Sequence, residues 1–176
     1  MNIFNKRSVN AEDIYMKILN NKDDDVTDDE IELLNDEISI HPVRTPEELN
    51  DIIKFYSKKY ATSSLNWLDV SHIEYMYGMF SYTTYNGDIS EWNVSNVNNM
   101  MYMFDNSSFD KDISRWNVSN VWNMHAMFNR SVFNGDISQW NVSNVKQMGW
   151  MFTSSLFNGN ISDWDVSNVN DMESMF

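Results

Sequence analysis

Apolar residues recur with a period of 24, the step from Trp92 to Trp116, over roughly the last two thirds of this chain. In each repeat a tryptophan comes first, and two methionines and a phenylalanine follow at fixed offsets. A period of this length is typical of proteins whose repeats stack into one continuous core. The columns are Trp92, Trp116, Trp140 and Trp164; Met100, Met124, Met148 and Met172; Met103, Met127, Met151 and Met175; Phe104, Phe128, Phe152 and Phe176.

Each repeat is predicted to contain one short strand and one short helix. Ile89, Trp92 and Val94 follow the apolar spacing of the strand segment in a leucine-rich coil. From Val97 to Phe104 the spacing changes to three and four residues, which predicts one face of a helix. The predicted fold class is therefore an α/β solenoid of leucine-rich-repeat-like coils, each one period long. The predicted coils are a degenerate first coil at 61–84, then 85–108, 109–132, 133–156 and 157–176.

The segment 1–60 carries helix-start signals in place of the repeat. Thr45 and Glu48 have the spacing of a capping box, in which each residue satisfies a free backbone N–H of the other. Thr27 and Glu30 form a second such pair, and Asn10 is placed to cap a third helix. We expect 1–60 to be an all-helical N-terminal cap that covers one open end of the solenoid.

The composition excludes several classes of partner and several kinds of site. Twelve Lys and Arg against 26 Asp and Glu give a net charge of −14 at pH 7, the wrong sign for binding nucleic acid or an anionic membrane. The absence of cysteine excludes disulfides, a thiolate nucleophile and a thiolate zinc site. Neither the apolar stretch of a secretory signal nor a bilayer-spanning window is found. We expect a cytoplasmic protein, with a virion component as the alternative.

The repeated motif DIS-x-WNVSNV-x-x-M-x-x-MF resembles the bacterial surface-protein repeat called BspA-like or DUF285, a leucine-rich-repeat-like group. The segment from Thr45 to Phe80 is also similar to the helical lead-in before such arrays in members without a secretion signal, from bacteria and phages. The resemblance implies a solenoid used for adhesion and protein binding, in many members on the cell surface.

Two acidic patterns are candidates for calcium sites. The run 21–32 has acidic residues at EF-hand spacings, but Val26 stands where that loop requires glycine, and a capped acidic helix start explains the run. Carboxylates also recur once per coil, although Asn160 occupies the fourth position, and an Asp at a turn usually accepts from nearby amides. We expect no metal and no cofactor. The recurring carboxylates are Asp88, Asp112 and Asp136.

The tryptophan column has two interpretations, a core stripe or a platform for stacking sugars. Leu68 takes the same position in the first coil, which favours the core. The methionine columns are likewise typical of core filler. The predicted structural core is Trp92, Trp116, Trp140, Trp164, Met100, Met124 and Met148.

Positions that the repeat leaves variable carry large aromatics, which are enriched at protein interfaces. The predicted interaction face is Tyr102, Trp122, His125 and Trp150, unless these side chains are buried within the monomer. A second predicted surface is a C-terminal docking edge on the last coil, for a second copy or another protein; its alternative is a final turn that folds back. That edge comprises Trp164, Met172, Met175 and Phe176.

The function predicted from these features is a non-catalytic protein–protein interaction or assembly module. It would bind a protein partner or associate with itself. The alternatives are a carbohydrate-binding or adhesin-like module and a structural component of a phage or virion. An enzyme is not expected, because the sequence shows no pattern that indicates a catalytic nucleophile, a paired general base or a metal-binding cluster.

Overall fold

A computed structural model describes residues 11–20, 26–36 and 41–176. Within these ranges the chain forms three helices and two short strands. The two strands pair in parallel, with His41 opposite Leu68 and Pro42 opposite Asp69. In chain order the elements are α1 (Ala11–Leu19), α2 (Asp28–Asp36), β1 (His41–Pro42), α3 (Pro46–Lys59) and β2 (Leu68–Asp69).

The second and third helices begin at the predicted capping threonines. At α2 the Thr27 N–H donates to Glu30 Oε2 at 2.9 Å, and the Glu30 N–H donates to Thr27 Oγ1 at 3.3 Å. At α3 the Glu48 N–H donates to Thr45 Oγ1 at 3.2 Å, but the Glu48 carboxylate accepts the Arg44 N–H in place of the Thr45 N–H, so the box predicted there is only half formed. These bonds satisfy N–H groups that the first turn of a helix leaves free. Asn10, the cap predicted for the remaining helix, lies outside the described residues.

The N-terminal region is not all-helical, which corrects the prediction. β1 lies between α2 and α3 and pairs with β2 in the first coil. The His41 N–H donates to the Trp67 carbonyl at 2.9 Å, and the Val43 N–H donates to the Asp69 carbonyl at 3.0 Å. An open strand edge presents unpaired backbone groups, so the segment before α3 takes extended geometry to satisfy them. One continuous hydrophobic core then joins the helices to the coils.

Successive coils stack in parallel, with each residue opposite its equivalent in the next repeat. Single parallel bridges mark this register. Phenylalanine rings stack along the same direction with centroids 5.1 to 5.8 Å apart from Phe80 to Phe176. The bridges are Tyr75 to Asn99, Asn99 to Asn123, Asn123 to Gln147 and Gln147 to Asp171.

The coils hold a ladder of turns where the sequence predicted a strand and a helix. Beyond β2, the described chain has no helix, and its bridges fall in the segment predicted to be helical. Tyr102 and Asn106 have φ of 57° and 51°, a left-handed conformation that interrupts a helix. The Met103 N–H closes a turn on the Met100 carbonyl at 3.1 Å, whereas the Phe104 N–H donates to the Met127 carbonyl of the next coil at 2.8 Å. Alternate N–H groups therefore bond within and between coils.

The polar residues of the repeat complete the stacking. The Asn120 side-chain amide donates to the Ser95 carbonyl of the preceding coil at 2.6 Å, and the same bond recurs in each later coil. Asn117 instead accepts, through Oδ1, the N–H of Ser119 at 3.2 Å within its own turn. The Asn-Val-Ser-Asn segment thus has two asparagines with different tasks, one that shapes the turn and one that ties adjacent coils together.

Candidate binding surface

The repeated tryptophans, and the repeated methionines other than Met172, lie inside the stack. Trp116 is 3% exposed, and its indole N–H donates to the Ile89 carbonyl at 3.2 Å. Equivalent bonds hold the other indoles of the column. A buried ring cannot serve as a platform for sugars, so these residues carry structure. The interior residues are Trp92, Trp116, Trp140, Trp164, Met100, Met124 and Met148.

The recurring carboxylates close turns. Asp112 Oδ1 accepts the Ser114 N–H at 2.9 Å, and this bond, together with one from the Ser114 side chain, lowers the pKa of Asp112. Asp136 accepts the Ser138 N–H in the same way. Asn160, which has no charge, accepts the Ser162 N–H at 3.0 Å. The column therefore requires an acceptor oxygen, which an amide supplies as well as a carboxylate does.

No described cluster of His, Cys, Asp or Glu has three or more members placed to hold a metal ion. In the acidic run 21–32, residues 21–25 lie outside the described ranges, so its predicted ligands there have no structural account. The part that follows begins α2, with Asp28, Asp29 and Glu30 in its first turn. Burial alone would raise the pKa of Glu30, but bonds from Lys17 and Thr27 outweigh it and lower that pKa.

The predicted interaction face is partly assembled in the structure. Trp122 and Trp150 are 42% and 39% exposed, and Tyr102 and His125 are half-buried. The Tyr102 and His125 rings meet edge to face with centroids 5.6 Å apart, and His125 Nδ1 lies 3.9 Å from Asp171 Oδ2. These side chains come from neighbouring coils, so stacking brings them to one side of the array.

The first coil adds aromatics that the sequence analysis missed. Tyr75 and Tyr77 are 53% and 60% exposed, and the Tyr77 ring lies edge-on to Tyr102 with centroids 5.9 Å apart. Tyr77 occupies the column of His125, so extending that column into the degenerate coil would have found it. Tyr75 occupies the column of Asn99 and Asn123, which holds none of the predicted residues, so no such signal pointed to it. We call the combined surface the aromatic face; it comprises Tyr75, Tyr77, Tyr102, Trp122, His125 and Trp150.

A groove of about 910 Å³ opens between α3 and the first two coils, and it includes Tyr75, Tyr77 and Tyr102 of the aromatic face. Glu47 and Asn50 from the start of α3 line one wall, and Tyr77 and Tyr82 from the first coil line the other. Tyr82 is 67% exposed. The described residues that line this groove include the carboxylates Glu47 and Asp105 but neither Lys nor Arg, so the local charge is negative.

The predicted C-terminal docking edge is only half exposed. Trp164 and Met175 are buried, which corrects their assignment to an open edge, because their side chains pack into the core of the stack. Met172 and Phe176 are 43% and 72% exposed. The Phe176 ring stacks on Phe152 with centroids 5.6 Å apart, so it continues the phenylalanine column. Docking at this edge stays a prediction.

In the part of the chain that the structure describes, no helix is long and apolar enough to cross a membrane. No curated protein and no solved structure matches the sequence. One family does, and it is described as "Mycoplasma protein of unknown function, DUF285". Its two overlapping matches run over residues 48–154 and 108–176, which includes most of α3 and every coil. With its repeats matched from the third helix to the last coil, this chain belongs to the DUF285 family.

Proposed function

We propose that this chain is a non-catalytic protein-binding module, a solenoid of leucine-rich-repeat-like coils that presents the aromatic face to a protein partner. One observation carries the proposal. Before the last coil, the apolar side chains that repeat are buried within the stack, whereas Tyr75, Tyr77, Trp122 and Trp150 remain exposed at positions where the repeat varies. Large exposed aromatics are the residues that contribute most to protein interfaces.

The arrangement of the face supports this role. Its residues fall within one short window of the coil, which in the second coil is 98–102. Because the coils stack in register, side chains from this window lie on one side across four coils. The backbone behind them is held by hydrogen bonds on both sides, such as those of Tyr102 N–H to the His125 carbonyl and Trp122 N–H to the Asn98 carbonyl. A rigid backbone lowers the entropy lost on binding.

Catalysis is not part of the proposal. His125 and Asp171 form the titratable pair on this surface, yet among the described residues no hydroxyl group hydrogen-bonds to the imidazole. Nucleophilic catalysis needs a nucleophile within hydrogen-bonding reach of its base. The location in the cytoplasm or in a virion stays a prediction from the sequence.

A carbohydrate-binding module is the second candidate. The exposed indoles of Trp122 and Trp150 favour it, because an exposed ring can stack on a sugar. The buried tryptophan column removes most of the indoles that such a platform would use. Protein binding is therefore the stronger candidate, with these two side chains common to both.

The test compares a double variant, Trp122→Ala with Trp150→Ala, with the control Leu156→Ala. Leu156 is 66% exposed and lies outside the aromatic face, so the control removes apolar surface elsewhere. We expect the double variant to melt like wild type and to lose a protein partner captured from host lysate by crosslinking. The control should retain that partner. Loss of binding on a glycan array, with protein capture intact, would contradict the proposal and favour the carbohydrate module.

A further inference from the structure

The first coil ends in an open hydrogen-bonding edge that faces the groove. In the second coil the carbonyls of Asn99, Met101, Met103 and Asp105 accept N–H groups from the coil before it, at 2.8 to 3.0 Å. Their equivalents in the first coil have no preceding coil, and no hydrogen bond within the described structure reaches them. These four acceptors are the carbonyls of Tyr75, Tyr77, Met79 and Ser81.

The groove lies where the missing coil would lie. Tyr75, Tyr77, Met79 and Ser81 all line it. Helix α3 covers the inner end of the first coil with Leu49, Ile52 and Tyr56, which are fully buried. Its first turn, at Glu47, stands across the groove from the carbonyls and leaves them open. Unpaired backbone acceptors beside an open groove are a template for another chain segment.

We propose that this groove binds a short basic peptide segment of a partner protein, whose alternate N–H groups bond to the four open carbonyls. The inference rests on the proposed role as a protein-binding module and adds the chemistry of what is bound. A peptide fits because every second residue of the edge is an acceptor, the same spacing that each later coil satisfies with alternate N–H groups. The peptide takes the place of a preceding coil.

Basic side chains fit the walls of the groove. Glu47 at the start of α3 supplies the accessible carboxylate of the groove. Asp105 also lines the groove but is only 6% exposed, and its Oδ1 accepts the Asn129 amide at 2.7 Å, so it contributes negative charge from beneath the surface. Exposed rings of Tyr77 and Tyr82 offer faces to a cation, an interaction that Arg makes most often. The chain as a whole carries a charge of −14, which attracts a basic segment and repels an acidic one.

The test uses the full chain as bait for a phage-displayed library of random heptapeptides, which match the length of segment 75–81. We expect selected peptides to be enriched in Arg or Lys. A synthetic copy of the leading peptide is then titrated by fluorescence anisotropy. Tyr77→Ala should weaken its binding about tenfold, as loss of an aromatic contact does, and Glu47→Gln should weaken it less. Glu32→Gln, the same change at an exposed residue of α2, should leave binding unchanged.

Methylated peptides test the backbone contacts. N-methylation at alternate residues removes N–H donors, so methylation in one register should abolish binding and methylation in the other should preserve it. Binding that survives both registers, or selection of acidic or neutral peptides, would overturn the proposal. So would a chain that dimerises through the groove, seen as a doubled mass in light scattering that Tyr77→Ala returns to the monomer.

A further variant separates this proposal from the proposed function. Trp150→Ala alters the aromatic face away from the groove and should leave peptide binding unchanged. Glu47 and Tyr82 line the groove and lie outside the aromatic face. If Glu47→Gln and Tyr82→Ala bind the host partner normally while the double tryptophan variant does not, the module stands and the peptide groove fails. If the selected peptide instead depends on Trp150, the groove proposal is wrong.

Discussion

The helices and the coils satisfy their backbones in different ways. In α3 the Leu49 N–H donates to the Thr45 carbonyl, one helical turn back, at 3.2 Å. In the coils the Phe128 N–H donates to the Met151 carbonyl of the next coil at 2.9 Å. Helical bonds form within a segment of sequence, whereas the bonds of the ladder need the neighbouring coil to be in place. Signals that act locally can therefore predict the first kind of bond and not the second.

The same contrast separates the polar residues. Capping in the helices uses Thr27 with Glu30, whose carboxylate also bonds to Lys17 Nζ at 2.6 Å, so charge contributes. The coils are tied by uncharged asparagine amides, each donating to a carbonyl one coil away. The capping of α2 should therefore depend on pH through Glu30, whereas the ties between coils should depend on whether the asparagine side chain can donate.

The largest effect is expected from Trp116→Ala. The substitution removes a buried ring and its bond to the Ile89 carbonyl, and should lower the free energy of unfolding by about 3–5 kcal/mol. Urea unfolding followed by tryptophan fluorescence measures it. Trp122→Ala is the matched control and should cost less than about 1 kcal/mol, because its ring is 42% exposed. Equal losses at the two sites would mean that the tryptophan column is not the core of the array.

The second prediction concerns the two asparagines of the repeat. Asn120→Asp replaces the amide that donates to Ser95 by a carboxylate that repels its carbonyl, and should cost about 1–1.5 kcal/mol. Asn117→Asp should be nearly neutral, because that position only accepts, and Asp165 accepts the Ser167 N–H there in the last coil. Thermal unfolding of both variants measures the difference. A costly Asn117→Asp with a neutral Asn120→Asp would reverse the two assignments.

The third prediction concerns the capping box of α2. Thr27→Ala removes the acceptor for the Glu30 N–H and should cost about 1 kcal/mol, seen as faster amide exchange confined to the helical region. The folded pKa of Glu30 lies below that of the unfolded chain. The contribution of Glu30 to folding stability is therefore complete above its pKa in the unfolded chain, about 4.3, and is lost as pH falls through its pKa in the folded chain.

Glu30→Gln is the control for that pH dependence. A glutamine at this position cannot titrate, so the amide exchange of α2 should lose its acid-dependent step. The coils should keep the acid dependence that the lowered pKa of Asp112 gives them. An acid-dependent step of α2 that persists unchanged in Glu30→Gln would show that another group is responsible.

The smallest effect is expected from serine-to-glycine substitutions, which should change the free energy of unfolding in opposite directions in the coils and in α3. Ser154 has a φ of 55°, which glycine adopts without strain, so Ser154→Gly should stabilise the coils by about 0.5 kcal/mol. Ser57 lies within α3, where Ser57→Gly should destabilise by about 0.5 kcal/mol or more. Differential scanning calorimetry of both variants tests the pair. A Ser154→Gly variant that gains no stability would mean that the left-handed geometry at Ser154 carries no strain.

Much of the architecture could be predicted from the repeat period and from pairs of residues that are close in the sequence. The period of the repeat places the tryptophans and methionines in columns, and burial of those columns requires only that apolar surface leaves water. Capping residues place the starts of α2 and α3 because their hydrogen bonds join near neighbours in the chain. Of the aromatic face, Tyr102, Trp122, His125 and Trp150 were predicted from variable positions in an otherwise constant repeat.

The backbone conformation of the coils could not be predicted from patterns of residues close together in the sequence. Apolar spacing from Val97 to Phe104 predicted a helix, yet left-handed residues divide that segment into turns. Glycine is the residue that usually indicates a left-handed conformation, and in this column it occurs only as Gly78 of the first coil. Tyr102, Ala126 and Trp150 have the same left-handed conformation in the next three coils.

The sequence by itself determined which residues enter the core and where α2 and α3 begin, because the first follows from apolarity and the second from bonds between near neighbours. Tertiary structure decided the ladder of turns. The N–H groups of Tyr102 and Trp150 donate to carbonyls of the following coil, and these bonds form only when that coil is in place. Tertiary structure also decided the groove, where α3 meets the first coil without covering its open carbonyls. Both depend on which segments lie beside each other, and that is settled only when the coils stack.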